Sequence, residues 1–164
     1  MKCRECRDGE LETRIGEHVY VESGLPNVVL ENVELRHCPK CGANTVAIPR
    51  IEALHRAIAR ALAHQTARLE GVEVRFLRKY LGLSGRDFAK VMAVTPETVS
   101  RWEHNHEPVS GIADHLLRML VAHAKPIDEY PLERLAEVSQ EGVKRGRLAM
   151  VAGSKDWRTE ERVA

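Results

Sequence analysis

Ser84-Gly85-Arg86-Asp87-Phe88-Ala89-Lys90-Val91-Met92-Ala93-Val94-Thr95-Pro96-Glu97-Thr98-Val99-Ser100-Arg101-Trp102-Glu103 decides the fold of the second half of this 164-residue chain. Ser84 with Asp87 three residues on forms an N-cap and a near capping box, which predicts a short helix through Met92. Thr95 caps the next helix, with Pro96 at the first helical position, and that helix runs to about Glu103. Working outward, Val72 to Tyr80 reads as a helix closed by Gly82. Pro108 and Ser110 precede a longer helix whose inner face is assigned to Ile112, Leu116, Met119, Leu120 and His123, and Pro126 stops it. Further upstream, Ile51, Leu54, Ile58, Leu62 and Leu69 recur mostly at three- and four-residue intervals, with Arg56, Arg60 and Arg68 between them. Residues 51 to 69 are therefore expected to form an amphipathic linker helix ended by Gly71.

Before Pro49 the pattern changes. Val19-Tyr20-Val21 and the run Val28-Val29-Leu30-Glu31-Asn32-Val33-Glu34-Leu35 favour strands, with Gly24, Pro26 and Asn27 as turn residues. The only cysteines flank this region as Cys3-Arg4-Glu5-Cys6 and Cys38-Pro39-Lys40-Cys41. Two C-x-x-C turns supply the four thiolates of a closed tetrahedral zinc site, which leaves no position for substrate and so implies a structural Zn2+, one per chain. Two redox dithiols or two disulfides are the competing readings; consumption of every cysteine by the two pairs favours zinc. Cys6 and Cys38 enclose 31 residues, long for a finger loop, so the insert must fold on its own account. Gly42 suits the sharp exit of the second knuckle.

Composition sets the class. Hydrophobic residues make up 43% and charged residues 30%, as in a soluble globular protein. No apolar run approaches the roughly 20 residues of a membrane span, and Met1-Lys2-Cys3 lacks the apolar stretch of a signal peptide. A cytoplasmic protein without membrane contact is expected, where paired cysteines are more often metal ligands than disulfides. Twenty-five Lys and Arg against 24 Asp and Glu leave the net charge near zero, so nucleic-acid binding must rest on a local patch. The expected fold class is α+β: a four-cysteine zinc-binding β module at 1–48, a linker helix at 49–70, an all-α domain at 71–126, and a C-terminal extension of unassigned role at 127–164. Within that extension Leu132 to Gln140 reads as a further helix, Leu148 to Ala152 as a short strand or helical turn, and Ser154 to Ala164 as a frayed end.

The two short capped helices have the spacing of a DNA-reading helix-turn-helix. Leu77-Arg78-Lys79, Leu81-Gly82-Leu83-Ser84, Phe88-Ala89-Lys90 and Thr98-Val99-Ser100-Arg101-Trp102-Glu103 together resemble the Cro/Xre-type helix-turn-helix over about residues 72 to 122. Joined to a four-cysteine module that opens Met-Lys-Cys-x-x-Cys, this domain resembles an antitoxin of the MqsA type, whose N-terminal part is a YgiT-type zinc finger. The resemblance runs from Met1 to about Lys125 and leaves out the tail. It implies that the zinc module binds and neutralises a small ribonuclease toxin. It also implies that the helix-turn-helix dimerises and represses a type II toxin-antitoxin operon by sequence-specific DNA binding. The alternative is a stand-alone zinc-containing regulator without a toxin. Toxin contact is expected at the hairpin surface around Tyr20 to Leu35 or at the linker helix.

Val99 and Trp102, three apart, should face the core, which leaves Glu97, Thr98, Ser100 and Arg101 for the outer surface. Arginine offers a bidentate fork to guanine O6 and N7, and a carboxylate accepts from cytosine N4. By the resemblance, Glu97 and Arg101 occupy base-reading positions, although a carboxylate at the first departs from the amide expected there. The plainer reading of the two is an i,i+4 ion pair. Ser84 and Thr95 can present helix N-terminal N–H groups to phosphate besides serving as caps. Gly85 lacks a side chain for a polar contact common in the family, and neighbouring Arg86 is the candidate to replace it. Arg78 and Glu103 resemble the ion pair that ties the first helix to the end of the recognition helix in lambdoid repressors. His104-Asn105-His106 reads as a surface loop, His37 as a partner for a zinc-bound sulfur, and His55 and His64 as solvated or half-buried. Lys144-Arg145-Gly146-Arg147 is a basic run, of a length usually just solvated, with contact to the phosphate backbone of DNA as the alternative. No Ser/His/Asp constellation, phosphate-cradling glycine loop or H-E-x-x-H occurs, and no enzyme is expected.

Overall fold

The computed structural model describes residues 1–124 and 147–162. Among them are five strands and five α-helices: β1 (Glu12–Val19), β2 (Val28–His37), β3 (Asn44–Ala47), α1 (Ile51–His64), α2 (Gly71–Tyr80), α3 (Gly85–Val91), α4 (Pro96–Glu103), α5 (Gly111–Ala124), β4 (Arg147–Ala152) and β5 (Trp157–Arg162). The class is mixed α+β, and three of the five strands lie in the N-terminal region, where the sequence is β-branched and alternating.

β2 is the centre of the sheet. It pairs antiparallel with β1 along its length and with β3 at its C-terminal end. A bulge at Asn32, which takes φ 59°, carries the register from Gly16 opposite Val33 to His18 opposite Leu30. At its N-terminal end, beyond β3, β2 pairs in parallel with β4, Val28 opposite Leu148, and β4 turns back antiparallel into β5. Most of the stretch expected to be frayed is thus the second strand of an ordered hairpin, which completes a sheet begun more than a hundred residues earlier. Trp157 explains why it stays: its ring is buried and its Nε1–H donates to Pro49 O at 3.1 Å. Arg50 fastens the hairpin turn with bonds to Gly153 O at 2.8 Å and Ser154 O at 3.3 Å. Arg147 is paired with Glu17 at 2.6 Å. The helix expected at Leu132 to Gln140 and the rest of the basic run lie outside the described residues.

One core runs through the molecule. Leu54, Ile58 and Leu62 of α1 are fully buried in one cluster with Val28, Leu30 and Met150 of the sheet and Leu77 and Leu117 of the following helices. In the stretch from Tyr20 to Leu35, Tyr20, Leu25, Val28, Leu30 and Val33 are buried in this core, while Val21, Glu22, Gly24, Pro26 and Asn32 are exposed.

Three helix readings need correction. The linker helix ends at His64, not near Leu69, because the guanidinium of Arg118 takes the last carbonyls of α1, Leu62 and Ala63, and then those of Gln65 and Ala67. Gly71 opens α2 instead of closing the linker; a Cβ there would stand under 3.0 Å from Trp102 O, so the residue is small because α4 crosses it closely. α5 is rotated from its expected orientation. Ala113, Asp114, Leu117, Arg118 and Val121 face the core, while Ile112 is 84% exposed and Leu116 and Met119 are also largely outside. A buried Asp114–Arg118 pair, with Asp114 Oδ2 also accepting from Leu69 N at 2.8 Å, lets charged residues occupy the inner face.

Candidate metal centre and nucleic-acid surface

The two knuckles share one construction. In the first, Arg7 N donates to Cys3 O at 3.1 Å with Arg7 at φ 60°; in the second, Gly42 N donates to Cys38 O at 2.8 Å with Gly42 at φ 76°. The left-handed residue after each C-x-x-C turns the chain back sharply, at no steric cost for glycine and at a cost of about 1–2 kcal/mol for Arg7. β2 delivers the second knuckle from its last residue, and the Lys2–Glu10 bridge closes the base of the first. Lys40 Nζ and Asp8 Oδ2, 3.0 Å apart, join the two turns at the surface.

The four Sγ atoms lie within 4.8 Å of one another. Cys3 and Cys41 are 3.7 Å apart and Cys6 and Cys38 3.8 Å. A tetrahedral thiolate site with metal–sulfur bonds of about 2.3 Å has edges of about 3.8 Å, so these spacings fit a cation at the centre. The donor set fits as well: Gly9 N–H donates to Cys6 Sγ at 3.3 Å, the kind of bond that stabilises a thiolate. N–H groups of Asp8 and Gly9 bring the Cys6 thiol down to about 6. Cys41 is the reverse case: the Ala43 N–H pulls it down, but hydrogen bonding to Cys38, burial and the remaining two cysteines outweigh this and push it up to about 12. A thiophilic cation here would displace the protons the cluster retains, and with four sulfurs around it would brace the fold without an open position for chemistry. His37 is not among the clustered donors; its Nδ1 meets Asn44 Oδ1 at 2.9 Å across β2 and β3.

At the other end, α3 and α4 pack against each other and α4 packs on α2. The caps are as the sequence requires. Ser84 Oγ accepts from Asp87 N at 3.1 Å and donates to Asp87 Oδ2 at 2.6 Å; Thr95 Oγ1 accepts from Thr98 N at 3.2 Å. Between the helices Ala93 takes φ 54°, which makes the turn tight. Val99, Trp102 and Glu103 are buried, while Glu97, Ser100 and Arg101 are exposed and Thr98 is half-buried. Ser84, Arg86 and Thr95 are exposed on the adjoining helix starts. The Glu97 carboxylate is held below its ordinary value first by its own backbone N–H, then by the Thr95 hydroxyl, with Arg101 the weakest contributor.

Arg78 and Glu103 come together behind this surface, with Nε to Oε1 at 2.5 Å and Nη2 to Oε2 at 3.2 Å. Sequence reasoning missed Arg75, whose Nε also reaches Glu103 Oε2 at 3.1 Å, and Asn105, whose Oδ1 accepts from Gly71 N at 2.8 Å. Arg75 at i−3 from Arg78 on the same helix face was the available signal. His104 binds back to Ser100 O and to Arg75, so the histidine loop is tied down and offers no ligand pair. His55 is half-buried and bonds Tyr20 Oη at 3.1 Å. No described helix is long and apolar enough to cross a membrane.

Among known families, the model described as the antitoxin component of a bacterial toxin–antitoxin system, MqsA, matches residues 1–130. No curated protein matches the chain.

Proposed function

The chain belongs to the MqsA antitoxin family, and from that premise we propose that it neutralises a small ribonuclease toxin with its zinc module and represses the operon encoding the pair. In this reading α3 and α4 form the helix-turn-helix, α4 enters the major groove, and the protein acts as a cytoplasmic homodimer on a palindromic operator. The observation that carries it is the outer surface of α4: Arg101, Ser100 and Glu97 stand exposed between the starts of two capped helices, on a platform locked by Arg78, Arg75 and Glu103. Ser84, Arg86, Thr95 and Thr98 hold phosphate on either side, and Arg101 reads a guanine. The cation in the four-cysteine cage is zinc, which suits four thiolates in a closed shell.

Toxin contact goes to β1 and the turn after it, where Ile15, Val19 and Val21 are 63%, 51% and 65% exposed. The second copy docks on the outer stripe of α5, where Ile112, Leu116 and Met119 recur at four- and three-residue steps outside the core. The test is a gel-shift titration with duplex DNA from immediately upstream of the gene. Arg101→Ala should weaken binding by about 1–3 kcal/mol and relax sequence choice at one position in each half-site. Unchanged affinity and unchanged specificity would exclude α4 as the reading helix. Toxicity of the neighbouring gene expressed alone, relieved by this chain, separates the antitoxin from a stand-alone regulator.

A further inference from the structure

Between the two knuckles lies a residue that is no ligand and that the C-x-x-C pattern does not single out. Gly9 is buried and stands against three of the four cysteines. Its carbonyl accepts from Cys3 N at 2.8 Å and its N–H donates to Cys6 Sγ at 3.3 Å. A methyl group on its Cα would stand under 3.0 Å from Cys38 Sγ, 3.1 Å from Lys40 Cβ and 3.4 Å from Cys6 Sγ. Among the described residues the glycines with left-handed φ are Gly24, Gly42 and Gly82, and Gly9 is not one of them. Its lack of a side chain is a matter of space, not of backbone conformation.

We propose that Gly9 is a positioning residue of the metal centre, leaving the gap through which Cys38 Sγ closes on Cys6 Sγ. A carbon atom under 3.0 Å from sulfur lies far inside contact distance, so one of the two must move. The second knuckle does not shift freely, because the residues at its two ends, His37 and Asn44, are paired across β2 and β3 and His37 is also paired with Glu12 of β1, while Cys38 is bonded within the turn to Ala43 O and Gly42 N. The side chain of Cys38 therefore leaves the cage and the centre becomes a three-sulfur site open to water. The inference rests on reading the four cysteines as a zinc centre.

The test uses the full chain as wild type, Gly9→Ala, Cys38→Ala and the double variant, each produced with zinc. Zinc per chain is measured by elemental analysis, affinity by competition with a chromophoric chelator, and ligand number from the spectrum of the cobalt-substituted protein. Gly9→Ala should lose affinity on the order of 10- to 100-fold, the scale of groups that orient ligands, and its cobalt form should show weaker thiolate charge-transfer absorption. In the Cys38→Ala background the same change should cost nothing further, since the sulfur that the new methyl strikes is gone. Equal losses in both backgrounds, or an unchanged affinity and spectrum in Gly9→Ala, overturn the proposal. Should Gly9→Ala fail to fold, recovery in the double variant supports it and no recovery refutes it. A wild type that takes up no zinc removes the metal reading itself, and the inference with it.

Discussion

Replacing Arg118 by Met removes the group that joins the sheet-bearing half of the molecule to the helices behind it. Arg118 is fully buried and all three of its guanidinium nitrogens are used: Nε on Asp114, Nη1 on Leu62 O, Ala63 O and Gln65 O, and Nη2 on Ala67 O at 2.8 Å. Met is close in volume, so the loss is electrostatic. Asp114 keeps one bond, from Leu69 N, but becomes a buried carboxylate without a cation. Removing one partner of a buried pair costs about 3–5 kcal/mol, and the orphaned carbonyls at the end of α1 hold the result at the upper end of that range. For a chain of this size each kcal/mol shifts Tm by about 2–4 °C, so the midpoint should fall by roughly 10–20 °C. Arg118→Lys keeps the charge without the fork and should fall between. The assay is urea and thermal denaturation of the metal-loaded protein, followed by far-ultraviolet ellipticity and tryptophan fluorescence. A loss below about 1 kcal/mol for Arg118→Met would refute the clamp, because no rearrangement short of admitting water to the α1–α5 contact could satisfy Asp114 so cheaply.

Other outcomes follow from the same geometry. Cys38→Ser should leave a three-sulfur centre that holds zinc more weakly and should lower toxin affinity, while the fluorescence of Trp102, read in a Trp157→Phe background, reports α4 still folded; loss of the Trp102 signal as well would mean the metal end and the α3–α4 end are one unit. Burial raises the Glu103 carboxyl, but its bonds to Arg78 and Arg75 outweigh this and hold it below its ordinary value. Its contribution to stability is therefore complete above the unfolded-chain value of about 4.3 and is lost as pH falls through the lower folded value. The stability gap between wild type and Glu103→Gln, measured as urea midpoints, should narrow with acidification in that window; a gap that widens would reverse the assignment. Leu116→Asp on the outer stripe of α5 should yield monomers by light scattering without loss of helix content, and an unchanged dimer mass would place the second copy elsewhere.

What was legible in the sequence was local. Ser84, Thr95 and Pro96 set helix starts through contacts that span three residues, and the structure shows the caps where the residue order put them. The cysteine spacing likewise carried the metal cluster, because two short turns leave the sulfurs few places to go. The face of α5 was not legible: its two candidate stripes differ in that one includes Asp114 and Arg118, and a rule that keeps charge outside picks the wrong one unless the pair and its four carbonyl acceptors are known. Arg75 was passed over because Arg78 alone satisfied the expected pairing with Glu103.

By itself, then, the sequence determined the capped helices, the long strand from Val28 and the four sulfurs, all of which depend on residues near one another in the chain or on a chemistry that few side chains share; the strand read at Val19-Tyr20-Val21 lies instead at Glu12–Val19, with Val21–Ser23 a single 3-10 turn. Only the tertiary structure decided where α1 stops, which side of α5 is inside, that Gly9 must be small, and that the last described residues belong to the first sheet. Each of these is a contact between groups far apart in sequence. The parallel pairing of Val28 with Leu148 and the bond from Trp157 to Pro49 have no local signature, because any apolar strand of the right length reads the same until the edge it covers is in view.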